Sequence, residues 1–197
     1  MKIALDARIL ASPKCGISSY VEHIVTDIIS LDKTLEIILF SDSEFHPCHG
    51  LITNLPRVKK VIFGSGKKEK KHWIKFLPGQ LKAYQADIYH ATWNTTVPLK
   101  KVCPCLLTVH DLAPWVLGGH FKNKRKEWRY KLRHFLSAHK ADFITTVSLN
   151  SKNDIVKLCG IKENKIKVIP LGIDAGFLEP IAAVTVESVL ARYALTG

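Results

Sequence analysis

Seven short apolar runs punctuate the chain, and stretches with helical periodicity separate several of them. The runs are Ile3-Ala4-Leu5, Glu36 to Phe40, Val58 to Phe63, Ile88 to Ala91, Leu106 to Val109, Phe143 to Val147 and Ile166 to Ile169. Runs of this length and composition predict strands buried on both faces, as in a parallel sheet, rather than strands with one wet face. Helical patterns fall at Ile17 to Ile29, with apolar Ile17, Tyr20, Val21, Ile24, Val25 and Ile28 on one side, then at Pro78 to Gln85, Lys124 to His139 and Ser151 to Cys159. This alternation predicts an α/β fold: a doubly wound, mostly parallel, Rossmann-like sheet.

Local chemistry marks the helix ends. Ser151 with Asp154 three residues later resembles a capping box, Gly160 stands where a C-terminal glycine cap is expected, and Pro78 suits a first helical turn. From Lys122 to His139, apolar Trp128, Leu132, Phe135 and Leu136 share one face. Lys124, Arg125, Lys126, Arg129, Lys131 and Arg133 are left largely outward, which predicts a basic amphipathic helix. Gly64 to Lys71 reads as a mobile surface loop. After Pro180, apolar Val186, Val189, Leu190 and Tyr193 predict a short helix over 185–195 with no following segment to pack on. Residues 1–180 are therefore expected to form one domain and 181–197 an interdomain helix or linker.

With 47% hydrophobic residues in 197, the chain can bury one sizeable core. The N-terminus has neither the length nor the cleavage pattern of a signal peptide, and no stretch reaches the roughly 18 apolar residues of a spanning helix, so a cytoplasmic protein is expected. The five cysteines are odd in number and scattered; Cys103-Pro104-Cys105 lacks a second ligand pair at zinc spacing, which argues for reduced thiols and no metal. A net charge of +12, concentrated in Lys67 to His72 and Lys122 to His134, favours anionic partners.

In doubly wound sheets ligands bind beyond the carboxyl ends of the strands. Unusual residues collect there: Asp6 and Arg8 after the first run, His90 and Trp93 after the fourth, His110 and Asp111 after the fifth, Ser148 after the sixth and Leu171-Gly172 after the seventh. The long first loop brings Gly16, Ser18 and Ser19 to a helix N-terminus, where free N–H groups favour an anion such as phosphate, although an ordinary capped loop would look the same. His110-Asp111 closes an apolar run with ionisable groups, a poor choice for packing alone, and imidazole can bond sugar hydroxyls or phosphate.

In order, Ile3 to Arg8, Gly16 to Tyr20, Ala86 to His90, Thr108 to Leu112, Ala141 to Ser148 and Lys165 to Asp174 resemble the retaining glycosyltransferases of family 4, which share the two-domain GT-B fold. The resemblance runs nearly end to end and implies that this chain is the N-terminal half of such an enzyme, with the C-terminal donor domain absent. It implies a transfer from a UDP- or GDP-sugar to an acceptor hydroxyl with retention, without a metal or other cofactor, in polysaccharide or glycolipid synthesis. Gly16 and Ile17 would lie near the donor phosphates, with Asp111 and Ser148 alongside, and His110 would be the catalytic residue near the transferred sugar. Arg8, His90, Trp93 and Asn94 would face the acceptor, although the residues alone favour a structural role for His90. Ser18 and Ser19 stand where the family often has a small Gly and an Arg, so phosphate contact through that Arg is not expected here. No general base is assignable, and most donor contacts belong to the absent domain.

Other readings differ in class. The basic helix reads first as an ordinary solvated surface; with the resemblance it also suggests peripheral attachment to the anionic inner face of a membrane, with a saccharide or lipid-linked acceptor. A non-catalytic acceptor-binding or membrane-docking module would work with a separate donor-domain chain. The cationic helix with Trp128 and Tyr130 leaves nucleic-acid binding as a remote alternative, but no finger, homeodomain or RNA-recognition signature is present and no nucleic acid is expected. A nicotinamide-dependent dehydrogenase is disfavoured by the absence of GxGxxG after the first run.

Overall fold

Every apolar run forms a strand: β1 (Lys2–Asp6), β2 (Glu36–Ser41), β3 (Val58–Ile62), β4 (Ile88–Ala91), β5 (Cys105–Val109), β6 (Phe143–Thr146) and β7 (Ile166–Val168). The computed structural model describes residues 1–63, 73–117, 121–173 and 177–195; the expected loop at Gly64 to Lys71, the basic cluster Lys67 to His72 and Asp174 lie outside them. All seven strands are parallel, in the order β3-β2-β1-β4-β5-β6-β7. The order reverses between β1 and β4, and there a crevice opens at the carboxyl edge.

Period-two alternation splits the core between the two faces of the sheet. Leu5, Ile37 and Leu39 pack with Val21 and Val25 of α1 (Gly16–Leu31), while Ile38, Phe40, Tyr89 and Leu107 pack on the opposite face. That second face is covered by α3 (Trp73–Ala83), α5 (Lys124–Lys140) and α6 (Leu149–Cys159), through residues such as Leu77, Ala138 and Ile155. Two single-turn helices, α2 (Gly50–Thr53) and α4 (Ala113–Val116), escape any periodicity argument because four residues contain no repeat. Coverage is uneven. Phe143, in a run whose composition predicts burial on both faces, is 65% exposed at the amino end of β6.

Three local expectations need correction. Pro78 lies inside α3 rather than in its first turn, because the helix already runs from Trp73 and buries Trp73, Leu77 and Leu81 at four-residue spacing. Burial of that stripe outweighs the helix bond that a proline cannot donate. The N-cap of α6 is Ser148, not Ser151: its Oγ accepts from the Ser151 N–H at 3.1 Å. Gly160 closes α6 as expected, in the left-handed region at φ 65°.

The third correction concerns α5. Trp128 is 64% exposed, Leu132 39% and Phe135 37%, so the apolar stripe faces solvent. The face toward the sheet carries His134, Ser137 and Ala138. The reason lies in α4, whose Trp115 donates its indole N–H to His134 Nδ1 at 3.0 Å, with the Lys131 ammonium 5.8 Å from the Trp115 ring centre. This polar and aromatic seam takes the inner position, and the apolar stripe is rotated outward. The last helix, α7, spans Ala183–Arg192, slightly earlier than the 185–195 expected. Among the described residues no helix is long and apolar enough to cross a membrane.

Candidate functional site

Parallel pairing brings the ends of β1, β4, β5 and β6 side by side, so the residues that follow them share one edge. Asp6, at the end of β1, is buried and holds Arg8 through two bonds, Nε to Oδ1 at 2.9 Å and Nη2 to Oδ2 at 2.8 Å. The guanidinium also lies 4.0 Å from the centre of the Trp73 ring, so Arg8 is fixed on both sides. Thr92 donates its hydroxyl to the Asp6 carbonyl at 2.6 Å, tying the loop after β4 to the end of β1.

Between these elements opens a cavity of about 310 Å³, lined by Asp6, Arg8, Thr92, Trp93, Thr96 and Arg133 among others. Larger surface cavities occur near Lys2 and Arg57 at the opposite edge of the sheet and beside α3, away from the carboxyl ends. The cavity at the β1/β4 crossover is the one that topology singles out.

His110 occupies the adjoining position at the end of β5. Its Nε2 lies 3.1 Å from the Thr92 carbonyl, which can only accept, so the neutral ring carries its hydrogen on Nε2 and leaves Nδ1 as an acceptor. Burial holds the His110 pKa below the usual imidazole value, against the opposing pull of the Thr92 carbonyl and Asp111. The neutral form therefore prevails at pH 7. Tyr20 of α1 presents its ring edge-on to His110 at 4.9 Å between centroids, which sets the imidazole beside the first helix.

Beneath this edge runs a buried polar chain. The Thr108 hydroxyl meets His90 Nε2 at 2.7 Å, the Tyr20 hydroxyl at 2.9 Å and the Thr145 hydroxyl at 3.0 Å. A hydroxyl has one hydrogen and two lone pairs, so three partners saturate it. His90 is only 4% exposed, and burial, reinforced by nearby His110 and opposed by Asp6, pushes its pKa down to about 4. His90 thus lies under the site rather than facing the acceptor cleft.

Of the other residues expected at the edge, Trp93 is 39% exposed and lines the cavity, as does Arg8. Asn94 is buried as a bracket: its Oδ1 accepts from the His110 N–H at 3.3 Å, and its Nδ2 donates to the Asp111 carbonyl at 3.1 Å and to the Tyr130 hydroxyl at 3.3 Å. Asp111 is exposed and accepts from the Ala113 N–H, the first of α4, at 2.9 Å. Ser148 caps α6, and the Ser151 hydroxyl points back to the His110 carbonyl at 3.4 Å.

Gly16 opens α1 in free space, with no atom within 4 Å of where a Cβ would stand, and Ile17 is half-buried beside it. The preceding Cys15 is exposed, and the Ser18 N–H holds its thiol below the usual range; unpaired N–H groups at a helix start favour negative charge in general. Ser18 itself is buried and bonds the Cys15 backbone through its hydroxyl, at 2.8 Å to the N–H and 2.9 Å to the carbonyl. Tyr20, Thr92, Thr108 and Arg133 were not singled out by sequence reasoning. Only Thr108, a polar residue inside an apolar strand, carries a signal that could have marked the buried chain.

The glycosyltransferase family 4 model matches residues 15–177. Among solved structures, HepE of Anabaena, determined with UDP, aligns with a TM-score of 0.60 at 16% identity, over 98% of this chain and 50% of that one. A glycosyltransferase of Rickettsia africae aligns at 0.59 and 17% identity, over 100% and 50%. The lipopolysaccharide outer core galactosyltransferase WaaB aligns at 0.54 and 17%, over 88% and 46%. The chain thus spans about half the length of these structures, and at such identities the likeness is one of fold. No curated protein matches in sequence. The chain belongs to glycosyltransferase family 4 and has the Rossmann-like fold of the N-terminal domain of its GT-B enzymes.

Proposed function

We propose that this domain supplies the acceptor side and part of the donor side of an enzyme that moves a sugar from a UDP- or GDP-sugar to an acceptor hydroxyl. The observation that carries this reading is the neutral His110 ring, fixed by Tyr20 of α1 and by the carbonyl of Thr92, a residue that also lines the cavity at the β1/β4 crossover. Its Nδ1 can accept from a hydroxyl of the transferred sugar, making His110 the catalytic residue. Gly16 and Ile17 would meet the donor phosphates through free N–H groups, with Asp111 and Ser148 nearby, while Arg8, Trp93 and Asn94 shape the acceptor side. HepE has been solved with UDP and glucose, which supports a nucleotide-sugar donor by analogy.

As the sugar leaves, negative charge develops on the diphosphate. The start of α1 meets part of it, and cationic side chains of a second, C-terminal domain would meet the rest, so no metal cofactor is required. In this reading residues 1–180 form the acceptor-side domain and 181–197 lead into the interdomain link. Transfer proceeds with retention. Proton NMR of the product made by the two-domain enzyme tests this: an anomeric coupling that matches the donor is expected, and the opposite coupling would contradict it.

We place the enzyme in the cytoplasm at the inner face of a membrane, in polysaccharide or glycolipid assembly. The outward stripe of Trp128, Leu132 and Phe135, flanked by Lys124, Arg125 and Arg129, has the chemistry of a helix lying in an anionic interface. Each basic residue near such a surface contributes about 1 kcal/mol. In vesicle sedimentation, binding should need anionic lipid, and replacing Lys124 and Arg125 together by Ser should lower it by about tenfold or more. Equal binding to neutral vesicles would sink this part of the proposal.

A further inference from the structure

Two arginines, Arg8 and Arg133, line the cavity, and Arg129 stands close enough to Arg133 for their charges to repel. Arg8 is already satisfied by Asp6, at 2.8 and 2.9 Å. Arg133, from α5, lines the same cavity, and Arg129 stands one turn before it on the same side of the helix. No carboxylate among the described residues pairs with Arg129 or Arg133, although other surface cations do have partners, such as Lys101 with Asp142 and Lys131 with Glu127. Burial holds Arg133 below its usual pKa, and the charges of Arg8 and Arg129 push in the same direction. Like charges one turn apart on a helix destabilise it unless something neutralises them.

The rest of the cavity is suited to a sugar. Trp93 offers a part-exposed ring for stacking on sugar C–H groups, while the buried Thr92 and Thr96 hydroxyls are already donated to the Asp6 and Trp93 carbonyls and fix the wall of the cavity. We propose that the acceptor is an anionic saccharide, with its accepting sugar against Trp93 and a phosphate or carboxylate held by Arg133 and Arg129. This rests on the glycosyl-transfer reading and goes further by naming the acceptor's chemical class. The guanidinium fork fits either oxyanion through paired N–H bonds. The two arginines lie between the cavity and the apolar stripe of α5, so a phosphate that joins a sugar to a lipid would fit the same place.

The test is binding to this chain without donor, so its outcome does not depend on transfer. Glucose 6-phosphate, glucuronate and glucose are titrated and followed by amide chemical shifts, with Arg133→Gln and, as a control away from the cavity, exposed Lys162→Gln. At least one anionic sugar should bind about tenfold or more tighter than glucose, given the strength of hydrogen bonds to charged groups. Arg133→Gln should remove that advantage and Lys162→Gln should leave it. Preference for glucose 6-phosphate assigns a phosphorylated acceptor, and preference for glucuronate a uronate. Equal binding of all three sugars, equal loss in both variants, or displacement by UDP would overturn the proposal, the last by assigning the arginines to the donor.

Discussion

Acidification from pH 7 to pH 5 should lower the urea midpoint of this domain sharply, well above the range in which carboxylates titrate. Two buried imidazoles produce the effect. Burial pushes both His90 and His134 down to about 4, with smaller opposing contributions from Asp6 and Asp111. His134 must stay neutral to accept the Trp115 indole N–H on Nδ1, and its Nε2 has no partner in the interior. Above the unfolded value of about 6.5 both states are neutral and stability is complete. As the pH falls from about 6.5 toward 4, the unfolded chain takes up protons that the folded chain refuses, so stability is lost across that window. Each histidine contributes on the order of 2–3 kcal/mol, a large part of the stability of a domain this size. Replacing His90 by Asn and His134 by Gln should flatten the dependence. Equal midpoints at pH 7 and pH 5 in the native sequence would contradict the assignment of neutral, buried rings.

The sheet was legible because each strand is a short apolar run, and burial on two faces leaves little else for such a run to become. Even Val58 to Ile62, with Lys59 and Lys60 in its middle, forms the edge strand β3, where long cationic side chains reach solvent. Gly160 was legible for a local reason, since only the backbone beside it decides its conformation. The orientation of α5 was not. Periodicity shows which residues share a face but not which face meets the sheet, and the pairing of Trp115 with His134 settled that from a segment distant in sequence.

The site divides in the same way. Residues that follow strands could be placed on one edge from the parallel topology alone, and His110, Trp93, Arg8 and Asp111 are found there. His90 takes the structural place that its residue type favoured and not the acceptor side that the resemblance implied: β4 runs one residue past it, and its buried ring bonds Thr108 on the neighbouring strand. Arg133 is remote in sequence from every strand end and enters the site only because α5 packs across the sheet. Its position turns one flank of the cationic helix toward the cavity, while the apolar stripe of Trp128, Leu132 and Phe135 lies exposed.

His110 carries the central claim. Its backbone N–H is bracketed by Asn94, its ring nitrogen by Thr92, and its ring face by Tyr20, so truncation to Ala removes the two ring contacts and keeps the backbone bracket. The most direct measurement is a calorimetric titration of this chain with UDP-glucose and with GDP-mannose, repeated with His110→Ala. The account predicts saturable binding of at least one donor, weakened by about tenfold or more in the variant, as expected for loss of a buried polar contact. Binding of neither donor, or binding that His110→Ala leaves unchanged, would contradict a donor subsite at the end of β5.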